Sequence, residues 1–153
     1  MIMKKHLLIE TLKPPQKSLE LLGVTFNSRF SFLEHAENVI SKAKKAACAI
    51  GRLGGVFRGI TGQTMRQLYV LCVRPVMEYE SPVWYQRISK AHKNKLEAIQ
   101  NLALRRVLGA FKSTAACILK RNAGIPPFCR RAEELGKRFA LRALKIVDLR
   151  NPV

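Results

Sequence analysis

Leu68-Tyr-Val-Leu-Cys-Val-Arg-Pro-Val-Met-Glu-Tyr-Glu-Ser-Pro-Val-Trp84 is the densest apolar segment of the chain and carries its only Trp. Leu68, Cys72, Val76 and Tyr79 recur at helical spacing, so a helix starting at Thr61 or Thr64 is expected to bury that face. Pro75 lies inside the pattern. It lacks a backbone donor and leaves the carbonyl of Leu71 without its helical partner, which predicts a kink. Ser81-Pro82 stops the helix, and Val83-Trp84 folds back as a cap on the core. Arg74, Glu78 and Glu80 are its ionisable side chains apart from the Cys72 thiol and the phenols of Tyr69 and Tyr79, so the segment reads as a packing hub and not as an active site.

Upstream of the hub, residues 1–18 read as an extended arm, because Pro14-Pro15 forbids regular structure there. Leu19 to Phe26 is short, apolar and partly β-branched; Asn27-Ser28 signals a turn, with Arg29-Phe30 returning as a second strand. Ser31-Phe-Leu-Glu34 has the form of a capping box. Behind it Leu33, Ala36, Ile40, Ala43, Ala47 and Ile50 form a helical stripe, and Gly54-Gly55 ends that helix. Gly51-Arg-Leu-Gly54 has the outline of a phosphate-clamping RNA loop but lacks the flanking strand and helix, so it reads as a helix end.

Downstream, Ser89 caps a helix running to Leu108, with Leu96, Ile99, Ala103 and Val107 as its apolar stripe and Gly109 as its stop. Ser113-Thr114 caps a short helix, Ala115 to Asn122, followed by the rigid connector Ile125-Pro126-Pro127. The last helix, Cys129 to Leu149, is expected to bury Ala132, Leu135, Phe139, Ala143 and Ile146. The class is therefore mostly α: a short N-terminal β-hairpin followed by a bundle of four to five helices, in one domain over residues 19–150 with a tail at 151–153.

Lys and Arg total 28 against 10 acidic residues, a formal charge of +18 in 153 residues. Ten acids cannot pair with that many bases, and the excess points to a polyanionic partner, nucleic acid above all. Lys42, Lys45 and Arg52 on the first helix, Lys93, Arg105 and Arg106 on the third, and Arg131, Arg138, Arg142 and Lys145 on the last are the candidate nucleic-acid-binding residues. They would meet phosphates and not read bases. Asp148 is the only aspartate, so paired-aspartate metal chemistry has no residues here, and no catalytic or metal-binding constellation is recognisable. Cys48, Cys72, Cys117 and Cys129 lack metal-site or disulfide spacing and are expected as buried free thiols in a reducing compartment. His92 is expected as a solvated helix residue. No stretch is long and apolar enough to span a membrane, and an intracellular protein that needs no cofactor of its own is expected.

Four stretches resemble, in order and in one register, the region after the palm in reverse transcriptases of non-LTR (LINE-type) retrotransposons. They are Leu22-Gly-Val-Thr-Phe26 with Phe32-Leu-Glu-His35; Arg74-Pro-Val-Met-Glu-Tyr79 with Pro82-Val-Trp84; Leu96-Glu-Ala-Ile-Gln-Asn-Leu-Ala-Leu-Arg-Arg-Val-Leu-Gly-Ala110; and Ala123-Gly-Ile-Pro-Pro127. The resemblance runs from about Leu19 to Leu144 and is nearest to fungal elements. Glu80 departs from it, standing where the family usually has Gly. The resemblance implies the end of the palm and the helical thumb and connector, which hold a template–primer duplex by its backbone. It also implies a missing upstream palm carrying the Tyr-x-Asp-Asp box and its Mg, a nuclear location, and a chain that is not an enzyme as it stands. Two other readings stand beside this one: a stand-alone basic helical RNA- or DNA-binding protein, and a retroelement remnant without function.

Overall fold

The hub is a continuous helical rod in the computed structural model, which describes residues 18–53 and 60–150, with the side chains of the last helix as far as Ile146. Its first part, α2 (Gly62–Leu68), is capped by Thr61, whose hydroxyl accepts from the Thr64 amide. A π-helical turn, Tyr69–Val73, follows, and then α3 (Arg74–Glu78). The wide turn stands where the kink was expected. Pro75 offers no N–H to Leu71, and the preceding turn widens so that the Arg74 amide reaches back five residues to the Tyr69 carbonyl.

This turn also corrects the buried face. Met65, Tyr69, Val73 and Met77 are the core residues, while Cys72 and Tyr79 are exposed and Leu68 and Val76 half-buried. Three steps of four residues drift by about 120° on a regular helix. One residue taken up by the π turn removes about 100° of that, so a strict four-residue repeat stays on one side.

The hairpin comes earlier than expected. β1 (Ser18–Leu21) pairs antiparallel with β2 (Val24–Asn27), Leu21 opposite Val24, and the turn is Leu22-Gly23. Both turn residues have positive φ, 50° and 79°, the form that matches strand twist in a two-residue hairpin. The Tyr79 hydroxyl donates to the Leu22 carbonyl at 2.8 Å, tying the hairpin tip to the end of the hub. Asn27-Ser28 instead leads into the first helix. The Asn27 side chain donates to Ser31 Oγ and accepts from the Ser31 amide, which occupies Ser31 and displaces the expected capping box. The expected arm (but for Ser18), Gly54-Gly55 and the tail lie outside the described residues.

The long helix α1 (Leu33–Leu53) buries His35, Ala36, Val39, Ala43, Ala47 and Ile50. Leu33 is exposed and Ile40 half-buried, contrary to expectation. Its alanines let α5 (Lys90–Leu108) approach closely. The two run parallel: Glu37 lies by His92, and further along both helices the Ala47 carbonyl accepts from Arg106. A Cβ at Gly51 would lie 2.3 Å from the Arg106 side chain, so this position stays bare for the guanidinium to cross. The Ser89 cap, the Gly109 stop and the whole expected stripe of α5 are as read from the sequence.

Between hub and α5 runs the short helix α4 (Ser81–Trp84), followed by a 3-10 turn, Tyr85–Arg87. Trp84 is fully buried, with its indole N–H donating to the Tyr79 carbonyl at 2.9 Å. His35, Trp84, Tyr85 and Phe128 form a chain of edge-on aromatic contacts that ties α1 to α4 and to the last helix.

Glu80, ahead of α4, has φ 48°. This left-handed conformation costs a non-glycine residue ~1–2 kcal/mol. Glycine relieves that strain but loses ~0.5–1 kcal/mol through its freer unfolded chain. Glu80→Gly is therefore expected to raise stability by about 0.5–1 kcal/mol, read as a higher denaturant midpoint; a lower midpoint would contradict the strain.

α6 (Ala116–Ala123) starts without the expected hydroxyl cap and stops at Gly124. Arg66 donates to the Ala123 carbonyl at its end. α7 (Phe128–Arg150) is held at its start by α5: Gln100 bonds the Pro126 carbonyl and the Phe128 amide, and Glu97 accepts from the Cys129 amide and from Lys120. Burial opposes ionisation of Glu97, but the Lys120 and Cys129 hydrogen bonds outweigh it and hold the carboxyl below its ordinary range.

The fold is mostly helical behind one short hairpin. The described residues hold six helical rods, counting the hub as one, where four or five were expected; α4 is the addition.

Candidate nucleic-acid interface

The ten expected cations do not share one surface role. Lys45, Arg52, Arg138, Arg142 and Lys145 are exposed. Lys42 is exposed too and lines a cavity of about 560 Å³ between hairpin, α1 and hub, together with Glu20, His35 and Tyr79. Four others, of which Arg106 is exposed and the rest half-buried, make contacts within the fold. Lys93 sits 4.9 Å above the Tyr85 ring, and Arg105 donates to the Thr114 carbonyl. Arg106 crosses α1 to Ala47. Arg131 pairs with Glu78 at 3.1 Å, which also holds Arg74, and lies 3.8 Å from Glu134.

Sequence reasoning passed over the place where two helices bring cations to one groove. Between α1 and α5 lies a groove of about 410 Å³ lined by Ile40, Lys44, Lys95, Ala98, Ile99 and Leu102. Its floor is apolar, it has one lysine from each helix, and no acid lines it. The parallel register staggers the two lysines along the groove. Glu97, the acid next to Lys95 in sequence, is engaged by Lys120 and the Cys129 amide. The signal was present in the pattern: Lys44 is four residues after Ile40 and Lys95 four before Ile99, so each borders a buried stripe at the same helical face.

His35 was not foreseen as a core residue. Its Nδ1 accepts from the Thr25 amide at 3.3 Å, which places the ring proton of the neutral form on Nε2. Burial first, and then the nearby Lys42 charge, pull its pKa below the ordinary value, with Glu20 opposing. His92 is not a solvated residue: its Nδ1 lies 2.7 Å from the Ser89 hydroxyl and its Nε2 3.7 Å from Glu37. The cysteines are free but not buried as expected, since Cys72 and Cys117 are exposed and Cys48 and Cys129 half-buried. Among the described residues no three of His, Cys, Asp and Glu are grouped to hold a metal, and no helix is long and apolar enough to cross a membrane.

Comparison with known proteins bears on this arrangement. Over 133 residues the chain is 26% identical to the 115 kDa protein of the type-1 retrotransposable element R1DM of Drosophila melanogaster. The chain has a retrotransposon-related origin. The match takes in 84% of this chain and 13% of that protein, so the chain spans a small part of the relative's length. The relative belongs to an insect element, and the fungal affinity read from the sequence finds no counterpart in it. No family model and no solved structure match the chain.

Proposed function

We propose that this chain is a thumb/connector-like module of a retrotransposon RNA-directed DNA polymerase, one that grips nucleic-acid backbone and performs no catalysis itself. The observation that carries the reading is the α1–α5 groove, where Lys44 and Lys95 stand over an apolar floor without an acid beside them. A lysine ammonium is a compact, mobile point charge suited to phosphate oxygens of any sequence. Lys42, Lys45 and Arg52, exposed on the same helix as Lys44, extend the positive field along α1. Catalysis would fall to a palm that supplies the aspartates and Mg, because this chain has the single Asp148.

The test is binding of the chain to two unrelated duplexes across a salt series. Affinity is expected to fall steeply with salt, by a log–log slope of about −0.9 per phosphate neutralised. Lys44→Gln with Lys95→Gln is expected to flatten the slope by about 1–2 units and to weaken both duplexes equally. Salt-independent binding, or a strong preference for one duplex that survives the double substitution, would overturn the reading.

A further inference from the structure

The distal half of α7 has the pattern of a buried helix and none of the burial. Leu135, Phe139 and Ile146 fall within about 40° on the helix, at 100° per residue, with Ala143 close by. Yet Phe139 is 57% exposed and Ile146 56%. Such an apolar run on a protein surface marks an interaction site. The same ten residues, 137–146, hold Lys137, Arg138, Arg142 and Lys145 and no acid. Among the described residues none of these four is ion-paired. Arg138, Arg142 and Lys145 cluster within about 60° and border the apolar stripe along one side.

Beside the stripe α7 meets α4 in a notch of about 530 Å³, lined by Pro82, Gln86, Glu133, Gly136, Phe139 and Ala140 among others. A Cβ at Gly136 would touch nothing within 4 Å, so a second backbone can come close at this point. We infer that the distal half of α7 and its notch form a docking surface for a helical protein segment with an apolar stripe and Asp or Glu along one flank. Charge complementarity selects this occupant. A second copy would bring two sets of four cations together. A nucleic-acid backbone would match the cations but leave Phe139 and Ile146 in water. A flat anionic lipid surface would leave the notch unfilled. An amphipathic acidic helix covers the stripe, enters the notch and pairs the cations, with its acids set toward Arg138 and Arg142 and away from Glu133.

The surface involves neither Lys44 nor Lys95, so it stands independently of the proposed groove. The full chain would be titrated with a labelled synthetic peptide carrying Leu at alternating three- and four-residue spacing and Glu along one flank. Controls are a scrambled peptide of the same composition and one with Lys for Glu. The patterned acidic peptide is expected to bind about tenfold or more tightly than either control. That affinity should fall about tenfold in Phe139→Glu with Ile146→Glu, and be unchanged in the Lys44→Gln, Lys95→Gln variant. Circular dichroism checks the fold of the Glu variant. Should it fail to fold, Arg138→Gln with Arg142→Gln is expected to weaken the same peptide severalfold. Equal binding of the scrambled peptide, or no effect of the substitutions, overturns the inference. So does self-association in sedimentation that the Glu variant abolishes, binding to phosphatidylserine–phosphatidylcholine vesicles in place of the peptide, or no binding at all.

Discussion

Trp84→Ala is expected to destabilise the protein by about 3–5 kcal/mol, the range for truncating a buried aromatic. The indole is fully buried, lies edge-on to His35 and Tyr85, and donates to the Tyr79 carbonyl. Removing it empties the junction of α1, hub and α4 and leaves a carbonyl at the hub's end without its donor. Against the ~5–15 kcal/mol that holds an ordinary domain together, such a loss takes a third or more. Trp84→Phe keeps most of the apolar volume and loses the hydrogen bond, so it should cost only about 1–3 kcal/mol. Far-UV circular dichroism through a urea titration checks both, since neither variant retains the fluorophore. A shift of less than about 1 kcal/mol for the alanine variant would mean that this aromatic chain does not support the core.

Gln100→Leu should be nearly as severe although it changes little in size. The Gln100 amide donates to the Pro126 carbonyl and accepts from the Phe128 amide, both at 2.8 Å, and the side chain is buried. Leucine would leave the buried Phe128 amide without a partner, at about 1–3 kcal/mol, and take the donor from the part-buried Pro126 carbonyl, at about 0.5–1.5 kcal/mol, so a total near 2–4 kcal/mol is expected. The effect should be local at first. Glu97 still accepts from the Cys129 amide, so α7 is expected to keep its helix while its start loosens from α5. Hydrogen exchange would show this as faster exchange at Phe128 and its neighbours, ahead of global unfolding. Unchanged exchange there, together with unchanged stability, would show that the clamp contributes little.

The elements whose burial follows one period and whose ends carry local signals were legible in the amino-acid sequence. α5 is the clearest case: Ser89, Gly109 and the stripe Leu96, Ile99, Ala103 and Val107 lie where spacing and capping chemistry put them. A hub start at Thr61 or Thr64 and the break in helix at Pro126-Pro127 were legible for the same reason, since each rests on residues adjacent in the chain, and the burial of Trp84 was legible from its apolar neighbours although its partner His35 was not. The cationic excess was legible too, but only as a sum.

Tertiary structure decided what depends on partners distant in sequence. The hub face could not be read at 3.6 residues per turn, because the π turn before Pro75 resets the phase. The hairpin turn went to Leu22-Gly23, where the Tyr79 hydroxyl reaches the Leu22 carbonyl from 57 residues away. Arg131 looked like a surface charge until Glu78 proved to be its partner, and Arg106, still exposed, reaches across to the Ala47 carbonyl. Lys44 and Lys95, on different helices, share a groove only because the alanines of α1 admit α5 alongside in parallel. The apolar stripe of α7 shows the limit in the other direction. Periodicity records that a face suits burial, but whether anything covers it depends on which surfaces meet, and among the described residues Phe139 and Ile146 stay more than half exposed.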